Sequence, residues 1–173
     1  MSDLLKVVES APDMGKGWHY KGMGQFGRNM SDVDTYIYAL GRTRDRRATE
    51  AIVAKMKTLE AKDAFSHFRA VAMAFDQLRD PAAAGPLAEL LAKPGFRGHA
   101  IATPEGAIER AEKNRSWTAT APRSDALREL ALARALYHCG DKDGLGKQIL
   151  EEYTKDYRGH LARHAAAVLK AGQ

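Results

Sequence analysis

Cysteine is almost missing from this chain: Cys139 is the only one in 173 residues, so no intramolecular disulfide can form and no cysteine-based zinc site is available. Long apolar runs are missing too. Nowhere do the roughly 18 consecutive apolar residues of a membrane span occur. The opening residues MSDLLKVVES lack the positive start and apolar stretch of a signal peptide. The reading is a soluble chain with no membrane partner, its compartment left open. Strand-favouring β-branched residues are few, while alanine is abundant and charges of both signs are spread along the chain, which favours helices with one wet face. The expected fold class is all-α, and 173 residues fit one domain of ordinary size.

Aromatics make up only 8% of the chain and never alternate with basic residues as a base-stacking platform requires. The net charge of +5 therefore does not by itself point to nucleic acid, which is not the expected partner. The densest basic run, GRTRDRR from Gly41 to Arg47, falls where one helix should end, and Arg42 and Arg44 there complement a helix C-terminus. The stretch GMGQFG, Gly22 to Gly27, has the G-x-G-x-x-G spacing of dinucleotide-binding loops. Such loops work only between a buried strand and a helix N-terminus. Here GKGWHYK precedes it, which is no buried strand, and Ser31 or Asp32 reads as the cap of a later helix. The stretch is read as a glycine-rich loop, and no cofactor is expected on this chain.

What is present is repetition. Residues 70–100 fall without a gap on residues 131–161, bringing Ala74, Asp80, Gly85 and Arg97-Gly98-His99 onto Ala135, Asp141, Gly146 and Arg158-Gly159-His160. A third copy at residues 35–56 brings Ala39 onto Ala74 and Asp45 onto Asp80. Each copy reads as two helices joined by a short turn at the aspartate. The second helix carries an apolar stripe, Ile52, Val53, Met56 and Leu59 in one copy and Leu87, Leu90 and Leu91 in another. Asp80 with Pro81 caps its start. Helix pairs of this kind stack side by side into an α-solenoid. The unequal offsets imply an inserted helix around residues 103–115, so the expected organisation is a glycine-rich N-terminal segment, 1–30, capping a helical repeat domain, 31–173. Both Gly98 and Gly159 are expected in a left-handed or otherwise unusual backbone at their joints.

The turn A-L-G-x-x-x-D, with an alanine-rich helix after it, resembles HEAT-like repeats of the short bacterial kind over residues 35–170. Four strings together, GWHYKGMGQFG, ALGRTRDRRA, SHFRAVAMAF and RGHLARHAAAVL, are similar to the helical C-terminal region of bacterial FAD-dependent oxidoreductases. That resemblance implies an accessory region or a stand-alone copy of one, with the flavin fingerprint in an upstream domain. It makes the chain a non-catalytic scaffold or interaction module whose partner is another protein or another domain of the same polypeptide. The alternative is an independent ligand- or nucleic-acid-binding repeat protein of the base-repair or bilin-lyase-like kind.

Histidine and arginine supply the remaining chemistry. His160 and His164 stand i, i+4 on the last helix, a metal-binding spacing, but no third ligand is specified and Arg158 and Arg163 oppose a cation, so no metal is expected. His67 and Arg69 place polar groups in an apolar helix, where each needs a partner. Two roles follow for His67, Arg69, His160, Arg163 and His164: hydrogen-bonded ties between neighbouring repeats, or a polar patch accepting an anion or a partner's carboxylate. Trp18, Tyr20 and Phe26, with Met23, form either a plug over the first repeat or an aromatic contact surface. No catalytic set is found: Glu151 and Glu152 diverge on a helix, Asp141 and Asp143 read as turn residues, Ser66 beside His67 is no nucleophile and base pair, and Cys139 reads as packed.

Overall fold

The computed structural model describes residues 1–18, 30–113 and 121–172. Among the described residues all regular structure is helical and no strand occurs, so the chain is all-α. In chain order the helices are α1 (Ser2–Ser10), α2 (Asp32–Arg42), α3 (Thr49–Lys57), α4 (Phe65–Leu78), α5 (Ala84–Ala92), α6 (Pro104–Lys113), α7 (Ala121–His138), α8 (Leu145–Tyr153) and α9 (Gly159–Ala171). No helix among the described residues is long and apolar enough to cross a membrane. The GMGQFG stretch, Tyr20, Met23 and Phe26 lie outside the described residues.

Local chemistry sets where the helices begin. Ser31 Oγ accepts the Asp34 N–H at 2.9 Å while the Asp34 carboxylate accepts the Ser31 N–H at 3.1 Å, a reciprocal cap that starts α2. Asp45 accepts the Arg47 N–H at 3.0 Å, and Asp80, followed by Pro81, accepts the Ala82 N–H at 3.1 Å. Each thereby starts the 3-10 turn that leads into α3 or α5. Asp141 accepts the N–H groups of Gly146 and Lys147 and so caps α8 directly. The residue before each of these aspartates is left-handed, with φ of 56° at Arg44, 46° at Arg79 and 103° at Gly140. The third joint differs from the other two in that Asp141 and Asp143 are left-handed as well.

In the packing, α4 lies between α2 and α7, α7 packs on α8, and α8 on α9. Beside them α3 touches α1, α4 and α5, and α5 touches α7. The stripe residues Ile52, Met56, Leu59, Leu87, Leu90 and Leu91 are all fully buried, each such side chain contributing about 1.5–3 kcal/mol. Gly41 explains itself here: a Cβ on it would lie 2.4 Å from Ala74 Cα, so glycine is what lets α2 and α4 touch backbone to backbone.

Between α5 and α6 the chain runs as a strap held by charged side chains. Glu129 accepts the N–H groups of Gly98 and His99 at 2.9 and 2.8 Å, and Asp156 accepts that of Ile101 at 2.9 Å. Arg158 donates to His99 O at 2.7 Å, and Arg110 of α6 donates to the carbonyls of Gly98 and His99. Arg128, buried against the Phe68 and Phe96 rings, ties Ala61 O and Gly95 O together at 2.7 Å each. The matched Arg-Gly-His triplets do not match in structure. Gly98 is left-handed with φ 84°, as expected, but Gly159 is simply the first residue of α9 and outside that region. The reason is the strap: only the first triplet has to turn away from a helix and run on as extended chain.

Candidate functional site

Three helix faces converge on one cleft of about 400 Å³. From α4 come Phe65, Arg69 and Met73, spaced four apart; from α7 come Leu127, Leu130, Ala131 and Arg134, at the i, i+3, i+4, i+7 positions of one face. From α9 come His160, Leu161 and His164. The floor is apolar and the polar groups at its edge are all basic. Arg134 Nη2 pairs with Asp76 Oδ2 at 3.2 Å, Arg134 Nη1 lies 3.4 Å from His164 Nε2, and the buried Arg134 Nε has no hydrogen-bond partner among the described residues. Arg69, half-buried, makes no hydrogen bond or ion pair among the described residues. His164 titrates below the ordinary histidine range, because it is partly desolvated and because it faces the Arg134 charge.

Of the five polar residues singled out from the sequence, Arg69, His160 and His164 thus meet in the cleft. Arg163 is exposed and does not line it, because it stands two positions from both Leu161 and Ala165 and so points away from the buried stripe of α9. His67 goes elsewhere. It is buried, and its Nδ1 lies 2.7 Å from Asp34 Oδ1, tying α4 to the capping residue of α2. Trp18 packs its ring edge-on against the His67 imidazole, with centroids 5.4 Å apart. The rim residue missed in the sequence is Arg134. It shares a helical face with Leu127, Leu130 and Ala131, but that face has meaning only once the order of helix packing is known.

Other reactive side chains are committed to structure. His138 Nδ1 meets Asp76 Oδ1 at 2.5 Å, so Asp76 serves both His138 and Arg134. Ser66 Oγ has no partner among the described residues, so no serine and histidine pair forms with His67. Burial pushes the Cys139 thiol up to about 12, and its Sγ donates to Phe75 O. Tyr153 is buried and donates to Glu129 Oε2 at 2.9 Å; desolvation first and the Glu129 charge second raise its pKa. Burial alone would raise the Asp156 pKa, but the hydrogen bonds from Arg158 and from the Ile101 N–H outweigh it and hold the carboxyl below its usual range. Among the described residues no three His, Cys, Asp or Glu side chains converge as a metal site. No family model, no curated protein and no solved structure matches the chain.

Proposed function

We propose that this chain is a non-catalytic interaction module built as a HEAT-like α-solenoid of stacked antiparallel helix pairs, accessory to a FAD-dependent oxidoreductase. The observation that carries the architecture is the recurrence of one joint. Where α2 gives way to α3, α4 to α5 and α7 to α8, a left-handed residue is followed by a capping aspartate. The first helices of these pairs, α2, α4 and α7, pack in that order, and α3 packs on α5. A stack of this kind presents long side surfaces, which is what a docking module uses. The reading as non-catalytic is supported by the engagement of His67, His138, Glu129 and Asp156 in bonds that hold helices and strap together. The link to a flavoenzyme rests on the four strings noted above.

The test is expression of the chain alone and together with the flavin-binding domain or protein encoded beside it. The expected result is a colourless chain when alone and co-elution with the flavoprotein in equal amounts when together. A flavin spectrum that survives gel filtration of the chain alone, or separate elution of the two, overturns the proposal.

A further inference from the structure

We infer that the cleft between α4, α7 and α9 is a binding site for a small monocarboxylate with an apolar body, of the medium-chain fatty acid type. The site is a property of this chain by itself and stands whether or not the chain docks on a flavoprotein.

Size comes first. About 400 Å³ falls within the range of small-molecule sites, about 300–1,000 Å³. The walls then choose the ligand's body, because Phe65, Met73, Leu127, Leu130 and Leu161 offer it apolar contact and no hydrogen bond. The edge chooses its head. Arg134 is balanced by Asp76, whereas Arg69 has no counter-charge among the described residues, so the two arginines leave the cleft one negative charge short. One carboxylate supplies it, and the planar guanidinium fork of Arg69 is shaped to receive it. The same head group meets the first turn of α9, which has no side-chain cap and whose His160 lies at the cleft. A phosphate or other dianion would exceed this charge and would leave the apolar walls bare.

The probe is sodium octanoate, titrated into the isotopically labelled full chain and followed by NMR, with calorimetry for hexanoate, octanoate and decanoate. Expected are saturable one-site binding, shifts at the His160 and His164 imidazoles, and about fourfold tighter binding per added methylene. Octylamine, with the same chain and the opposite charge, should not bind. Arg69→Gln should weaken octanoate by about tenfold or more. Ala131→Leu, which fills the floor and leaves every charge in place, should abolish decanoate binding, and it decides the matter if Arg69→Gln fails to fold. Absence of saturation, equal binding of octylamine, shifts away from the two histidines, or wild-type affinity in the folded variants overturns the site. A cleft that accepts a carboxylate only when a protein carries it would leave octanoate unbound, which also overturns it.

Discussion

Removing the Asp156 carboxylate should be among the most damaging single changes in this chain, although the residue lies in a turn. Its side chain is fully buried and accepts four hydrogen bonds: from Arg158 N–H and Nε at 2.8 Å each, from Arg158 Nη2 at 2.7 Å and from Ile101 N–H at 2.9 Å. Breaking a buried ion pair by deleting one partner costs about 3–5 kcal/mol. Arg158 keeps 22% of its side chain exposed and retains His99 O as an acceptor, so it can partly relax, and the lower end applies. Asp156→Ala is expected to lose about 3 kcal/mol, and Asp156→Asn, which keeps one oxygen and the shape, about 1–2 kcal/mol. At roughly 2–4 °C per kcal/mol for a chain of this size, the alanine variant should melt roughly 6–12 °C lower. Urea unfolding at constant slope is the assay. The pH dependence follows from the depressed pKa of Asp156. A carboxyl whose folded pKa lies below its unfolded value contributes stability above the unfolded value, about 3.9, and loses it as pH falls through the folded one. The advantage of wild type over Asp156→Asn should therefore be flat above about pH 5 and shrink below about pH 4. A loss under about 1 kcal/mol in Asp156→Ala, or an advantage that grows on acidification, refutes the account of the clamp.

Two further outcomes test the backbone argument. Gly98→Ala should destabilise by about 1–2 kcal/mol, since φ is 84° there, whereas Gly159→Ala should be neutral or mildly stabilising, because its Cβ would meet only the flexible end of Arg163 at 3.2 Å; thermal melts that rank the two the other way would reject the distinction between the triplets. Arg79→Gly should raise stability by about 0.5–1 kcal/mol, since Arg79 is exposed, left-handed with φ 46°, and bonded through its side chain only by a long 3.4 Å contact to Asp76 O; a lower melting temperature would show that the side chain matters more than the backbone strain.

Much of the backbone was legible because its signals are local. Ser31, Asp45 and Asp80 cap the elements that start beside them, and the leucine stripe of α5 is buried as a 3.6-residue period requires. The strap was not legible, because the carboxylates that hold it come from residues 30 or more positions away: Glu129 reaches Gly98 and His99, and Asp156 reaches Ile101. Sequence identity also misled at Arg158-Gly159-His160, where the same three letters as Arg97-Gly98-His99 open a helix instead of leaving one. The polar patch was legible in half. Arg69 and His67 are two apart on α4 and so face different ways, Arg69 to the cleft and His67 back to Asp34, a divergence that helical geometry alone foretells.

The strap and the cleft are connected through the start of α9. Asp156 and Arg158 immediately precede Gly159, and both are fastened to the strap, one through Ile101 N–H and the other through His99 O. What they fix is the point from which α9 sets out. Because α9 packs on α8 and also reaches α7, that point decides how closely His160, Leu161 and His164 approach Arg69 and Arg134 across the seam. Glu129 anchors the same strap from α7, so the helix that supplies the cleft floor also holds the segment that places its third wall. The strap between α5 and α6 is therefore more than a spacer. By clamping the α8 to α9 turn it gives the last helix a fixed origin, and the cleft exists because that origin lies within reach of both α4 and α7.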